Sequence, residues 1–177
     1  MKARLFMSAK AGGDMDVFVA VWKLDANGDP VYFPIHALHD DGPITLGWIR
    51  ASHRELDKAR STDVRPVLAH REGRAVAPGE VVGLEIEIWP PGTHFDAGEK
   101  LLPLVQGTDV NKYSNEVLYP RHERSVNRSL HEVHTGGRYA SYLQVPSVTP
   151  LESSDAGGEA ASKGIVMRRA TARGAPS

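Results

Sequence analysis

EVVGLEIEIWP, residues 80–90, decides the fold. Leu84, Ile86 and Ile88 fall on one side of an extended chain and Glu85 and Glu87 on the other, the period of two that marks a half-buried strand. Pro78-Gly79 turns the chain into it. The same pattern repeats outward in both directions. DVFVAVWKL (16–24) is β-branched and aromatic, and DANGDP follows at once. Asn27-Gly28 is the preferred dipeptide of a type I′ hairpin, because both central residues need φ > 0. VYFPI (31–35) is the expected return strand. ITLGWIRAS (44–52) is another, running into SHRELDKA, the only candidate for a short helix or helical turn before residue 60. LHEVH (130–134) and RYASYLQVP (138–146) complete the set. About eight strands, frequent turns and no amphipathic helix of ordinary length predict an all-β, antiparallel jelly-roll β-sandwich.

The bulk composition bounds what this fold can serve. With 177 residues, 41% hydrophobic and 24% charged, the chain suits one globular domain with a real core. A formal net charge of -1 provides no field favouring nucleic acid or an acidic membrane surface. The absence of cysteine removes disulfides and thiolate metal sites and fits a reducing cytoplasm. The opening MKARLFMSAKAGG imitates an export signal, but Leu5, Phe6 and Met7 fall far short of the roughly 7–15 apolar residues such a signal needs. A soluble, cytoplasmic protein is expected, with no nucleic-acid or membrane partner. After Pro150 the composition turns to LESSDAGGEAASKG and ends in TARGAPS. Such a segment buries too little apolar surface to offset its ordering entropy, so residues 1–150 form the expected domain and 151–177 a disordered tail. Within that tail, IVMRR (165–169) is the part with the composition to dock.

The candidate chemistry is sparse. A serine nucleophile of the α/β-hydrolase type needs a strained G-x-S-x-G elbow, and no serine here is so placed. His36 and His39 lie near Asp40 and Asp41, and His131 and His134 share the predicted last hairpin. Two histidines at i, i+3 on a strand point to opposite faces, so neither pair converges on a metal without a bend. Asp25-Ala26-Asn27-Gly28-Asp29 mimics a calcium loop, but Pro30 and His36 occupy the positions that need glycine and glutamate. Trp22, Trp48 and Trp89 could form a sugar-stacking platform; their places in or at the end of strands point instead to the core. Arg121, Arg124 and Arg128, interleaved with Glu123, are a solvated face. No catalytic, cofactor-binding or metal-ligating residue is assigned, and no cofactor is expected.

Three long stretches carry a resemblance. GWIRASHRELD (47–57), PGEVVGLEIEIWPPGTHFDAGEKL (78–101) and HEVHTGGRYASYLQVP (131–146) resemble, in order and spacing over roughly residues 3–148, the C-terminal jelly-roll domain of X-Pro dipeptidyl-peptidases and cocaine-esterase-like (CocE/NonD) serine hydrolases. The resemblance implies a galactose-binding-like β-sandwich that packs on a separate α/β-hydrolase domain, helps close its substrate site and carries no member of the Ser–Asp–His triad. His134-Thr135-Gly136-Gly137 matches the family's turn into its last strand. Two departures follow from the comparison. The family's further strand before KARLFMSA has no counterpart, which leaves an unpaired edge there and favours self-association. LLPLVQG (101–107) carries Pro103 where the family runs a regular strand.

The resulting expectation is a non-catalytic module of such an acyl or X-Pro peptide hydrolase, inactive alone, whose partner is a hydrolase domain lost or supplied in trans. Truncated reading frame, excised fragment and natural subunit all stay open. The alternative is a free-standing module binding carbohydrate or another small ligand, since galactose-binding domains share the fold. Exposed coplanar aromatics would favour that alternative, and a broad apolar face the packing role.

Overall fold

The computed structural model describes residues 1–34, 40–110, 125–147 and 166–171. His36, His39, Arg121 and Arg124 lie outside these residues, as does most of the 151–177 segment.

The described residues form nine strands where about eight were expected: β1 (Lys2–Ala9), β2 (Asp16–Leu24), β3 (Pro30–Val31), β4 (Thr45–Arg50), β5 (Val82–Glu87), β6 (Lys100–Gln106), β7 (His131–His134), β8 (Tyr142–Ser147) and β9 (Val166–Thr171). All pairings are antiparallel. One sheet runs β5-β1-β8-β9, with β7 also on β1; the other runs β3-β2-β4, with β6 on β2. The period-two reading of residues 80–90 holds. Val82, Leu84, Ile86 and Ile88 are buried and meet Ala3, Leu5 and Met7 of β1 with Val17, Val19, Val21 and Ile49 of the second sheet in one core. A core shared by the inner faces of two sheets makes this a β-sandwich. No helix among the described residues is long and apolar enough to cross a membrane.

Several local expectations are revised. The loop at Asn27-Gly28 is a hairpin but not type I′: only Gly28 has positive φ, at 100°. Asp25 takes over the turn, its Oδ1 accepting from the N–H groups of Gly28 (2.8 Å) and Asp29 (2.9 Å), which leaves Asn27 in ordinary backbone geometry. The calcium-like Asp25 carboxylate is thus used by its own loop. In SHRELDKA the helix shrinks to a 3-10 turn at Ala51–His53. Asp57 then holds the chain in a turn by accepting from the Ala59 N–H (3.0 Å), a side-chain bond that competes with helix propagation. Pro103 leaves β6 intact, because β6 pairs only with β2 among the described strands and an edge tolerates a missing donor.

The two largest revisions concern the ends. β1 is not an open edge: β5 pairs along one side, and β7 and β8 share the other. The expected unpaired backbone beside KARLFMSA, on which self-association rested, is filled. β7 and β8 are also not a hairpin. Both run antiparallel to β1, with Phe6↔His134 and Arg4↔Tyr142 as partners, so Thr135–Ser141 is an excursion from one interrupted strand. Gly136 and Gly137 make it with φ of 82° and 53°. Ser141 closes the gap, its hydroxyl accepting from Phe6 N–H (2.9 Å) and donating to the His134 carbonyl (2.7 Å). In the C-terminal segment expected to be without structure, β9 pairs with β8 over six positions, from Tyr142↔Thr171 to Ser147↔Val166. The outer side of β8 offers backbone N–H and C=O groups for pairing, and an extended segment such as VMRRAT can take them up.

Candidate interaction surface

The outer faces of the two sheets differ in kind. On the first, Glu85 lies between Lys2 (2.7 Å) and Arg4 (3.4 Å), and Arg4 covers the Phe6 ring. The Thr135–Ser141 excursion folds over the same face, bringing Tyr139 against Phe6 and His134. His134 Nε2 shares a 2.8 Å hydrogen bond with Ser8 Oγ. A serine hydroxyl on an imidazole is the beginning of a nucleophile–base pair. Ser8 is only 3% exposed, however, and the bond ties β7 to β1 where no substrate atom could reach. The glycines at 136 and 137 therefore serve a turn. Register places His134 opposite Phe6 on the outer face and His131 opposite Ala9 on the inner one, as the i, i+3 spacing dictates. Among the described residues no three His, Asp or Glu side chains gather as a metal site. Arg128 is exposed, consistent with a solvated face.

The second sheet presents apolar groups outward. Inward positions on β2 are Val17, Val19 and Val21, so Phe18, Ala20 and Trp22 take the other face, where Phe18 and Ala20 are already buried by their neighbours and Trp22 is half-buried. Register sets Ala20 between Leu104 and Leu46, Trp22 opposite Leu102, and Phe18 between Trp48 and Gln106. Leu102 and Leu104 are 44% and 38% exposed. Tyr32 stands edge-on to Trp22 at 6.1 Å.

At the β4 border this face ends in two tryptophans. Trp48 and Trp89, expected in the core, are 42% and 59% exposed, with ring centroids 5.6 Å apart and planes at 59°. The cause is strand phase. Thr45, Gly47 and Ile49 point inward, which sends Trp48 out, and Trp89 follows Ile88, which is inside. The alternation of residues 80–90, extended one residue past Ile88, places Trp89 outside; in β4 the apolar set Ile44, Leu46 and Trp48 gives no such signal for Trp48. Trp22 is half-buried. The Trp89 backbone is pinned to β4, its N–H donating to the Leu46 carbonyl (3.2 Å) and its carbonyl accepting from Thr45 Oγ1 (2.7 Å). Gly47 permits this crossing, since a Cβ there would press on the Glu87 carbonyl and stand 2.6 Å from Ile88 Cδ1.

The excursion between β4 and β5 completes a cleft of about 350 Å³ around these rings, with Arg60, Arg65 and His70 on its walls. A tight turn projects Arg65: Thr62 N–H donates to the Arg65 carbonyl (2.9 Å) and Arg65 N–H to Thr62 Oγ1 (3.1 Å). Arg65 Nε lies 3.4 Å from Glu87. His70 has φ of 50°, the single positive value among the described non-glycine residues, and its ring lies 5.9 Å from that of His53.

Two further concavities flank the core. A cleft of about 430 Å³ at the start of β2 contains Asp16, Asn127 and His131. Its carboxylate is committed, Asp16 accepting from Arg50 Nε (2.7 Å), from a second Arg50 guanidinium nitrogen (3.0 Å) and from Val126 N–H (2.9 Å). Burial holds His131 below the ordinary imidazole value, with Asp16 opposing. An apolar pocket of about 420 Å³ lies between β6 and β8, lined by Leu5, Leu101, Pro103 and Leu143 among others.

Comparison with known proteins gives a consistent result. Residues 1–144 match the family model described as the X-Pro dipeptidyl-peptidase C-terminal non-catalytic domain. Two crystal structures of a CocE/NonD family hydrolase from Staphylococcus aureus superpose with TM-scores of 0.75 and 0.74, each at 38% identity. Each match covers 79% of this chain and 26% of the hydrolase chain, so the protein spans about a quarter of the length of these structures. Comparison with curated proteins finds no match.

Proposed function

The chain belongs to the X-Pro dipeptidyl-peptidase C-terminal non-catalytic domain family, and on that premise we propose that it packs on an α/β-hydrolase domain outside these 177 residues and shapes its acyl or peptide site. It is a non-catalytic β-sandwich module of the hydrolase family. The observation that carries the packing role is the outer face of the second sheet, where Leu102, Leu104 and Trp48 stand exposed on a surface that would be polar in a module facing only water. Contacts between domains of one chain typically bury some 600–1,500 Å², and a sheet face of this kind suits them.

The test is co-expression with the part of the S. aureus hydrolase chain that does not superpose here. Co-purification of the two chains is the expected result. The 177-residue protein alone should leave p-nitrophenyl esters and X-Pro anilides untouched. Turnover by the isolated protein that survives repurification and vanishes in Ser8→Ala would overturn the non-catalytic assignment.

The carbohydrate-binding alternative draws on the exposed pair Trp48 and Trp89. Their planes, at 59°, form a corner and not the flat platform on which a sugar ring stacks. The packing role is the better supported of the two.

A further inference from the structure

We propose that the Trp48–Trp89 corner anchors this interface, by receiving a short segment of the hydrolase domain that carries an acidic side chain beside an apolar one. The inference rests on the packing role above and adds to it a place and a chemistry.

Position is the first ground. Trp48 lies directly across from Phe18 in register, so the corner continues the apolar row of the second sheet. On the far strand Phe18 meets Gln106, and Leu104 and Leu102 follow in the next rows of the same face, opposite Ala20 and Trp22. The cleft of about 350 Å³ accepts one or two side chains, the size of a loop tip and not of a domain. Tryptophan and arginine are the residue types that most often dominate the energy of protein interfaces, and the corner combines both.

Charge is the second ground. Among the described residues Arg60 has no ion-pair partner, and Arg65 reaches only Glu87, at 3.4 Å with both side chains well exposed. Such a pair is worth little in water and is readily exchanged. Glu85, on the same wall, is already held by Lys2 and Arg4. Two guanidinium groups thus face one loosely held carboxylate beside a pair of indoles. A second carboxylate bridging Arg60 and Arg65 would balance the site, and an adjacent aliphatic or aromatic side chain would fill the angle between the rings.

Firm construction is the third ground. The Trp89 backbone is bonded to β4 on both sides, Arg65 sits on a turn closed by two hydrogen bonds, and His70 is held at positive φ. An anchor presented in a fixed geometry loses little entropy on binding.

The experiment is a pull-down of the non-superposing part of the S. aureus hydrolase chain, co-expressed with tagged wild type or with W48A/W89A, R60E/R65E or L130S. Circular dichroism and thermal melts of each variant confirm folding. The tryptophan pair should lower recovery by roughly tenfold or more, as loss of hot-spot residues does. R60E/R65E should lower it most at low salt, and L130S, at an exposed site elsewhere on the protein, should not. If wild type recovers the hydrolase part and a folded W48A/W89A recovers it equally well, the anchor is refuted while the packing role stands. If wild type recovers nothing, the packing role itself fails. Unimpaired recovery by W48A/W89A together with loss of binding to a neutral oligosaccharide array would assign the corner to sugar instead.

Discussion

Gly47→Ala puts the closure of the sandwich at the β4–β5 border to a quantitative test. The new methyl group would be driven against the Glu87 carbonyl oxygen and to 2.6 Å from Ile88 Cδ1. The Glu87 oxygen belongs to backbone and cannot rotate away, and Ile88 is 1% exposed within the core. Relief therefore requires β4 and β5 to separate, which also lengthens the Trp89–Leu46 and Thr45–Trp89 hydrogen bonds. Overpacking of this kind costs about 1–3 kcal/mol. For a chain of this size each kcal/mol lowers Tm by about 2–4 °C, so a fall of about 2–12 °C is expected in a thermal melt followed by circular dichroism. Gly83→Ala on β5 is the internal control. Its Cβ would meet Phe6 Cε1 at 3.4 Å, ordinary contact, and Gly83 has no positive φ. That variant should be neutral or gain up to about 1 kcal/mol by reducing the entropy of the unfolded chain. Equal Tm values for the two alanine variants would refute the close approach at Gly47.

Three other perturbations follow from the described contacts. Asp16→Ala removes the acceptor for Arg50 and for Val126 N–H; because Arg50 is partly exposed and can hydrate, the loss should be about 1–3 kcal/mol, measured by urea unfolding. His131 is held below its unfolded value by burial, so its stabilising effect is complete above pH 6.5 and is lost as pH falls from there through the folded value. His131→Gln should flatten the stability profile in that window, and an unchanged profile would remove His131 as its cause. Truncation after Ser147 removes β9; hydrogen bonds gained and ordering entropy nearly cancel for an edge strand, so Tm should fall by only about 2 °C while amide exchange of β8 residues on that side accelerates. Unaltered exchange would show that β9 does not pair in solution.

Element identity was legible in the sequence wherever the local pattern carried it. β2 and β5 appear where alternation and β-branching placed them, and Pro78-Gly79 turns as expected, with Gly79 at φ 71°. What failed were properties decided by non-local partners. Pro103 was suspect because its cost depends on whether a neighbour lies on both sides, and that is a fact of sheet order. Gly136-Gly137 reads from the sequence as a hairpin turn between β7 and β8, whereas the register on β1 that makes them one interrupted strand is set over a hundred residues away. Asn27-Gly28 lost its preferred turn to Asp25, a competition between two local signals in which the carboxylate prevailed. The two tryptophans differ: Trp89 follows Ile88 and its outward place is given by phase, whereas in β4 the more apolar set Ile44, Leu46 and Trp48 reads as inward, and it is the close crossing of β5 at Gly47 that turns Thr45, Gly47 and Ile49 to the core.

The outward place of Trp48 bears on function. In an antiparallel sandwich surrounded by water, a strand apolar on both sides is an anomaly, since one face should be hydrated. β2 is such a strand, with Val17, Val19 and Val21 on the inner face and Phe18, Ala20 and Trp22 on the outer. β5 in the other sheet is the counterexample within the same molecule, alternating strictly and sending Gly83, Glu85 and Glu87 outward. One sheet is therefore written for solvent and the other for contact. Core formation does not account for the difference, because both sheets contribute apolar inner faces to the one core. The second apolar face calls for a second neighbour, and the exposed leucines and tryptophans show that the described residues do not supply all of it. The S. aureus hydrolase chains are matched over only 26% of their length, and in the proposed packing role the part of such a chain that does not superpose here would be that neighbour.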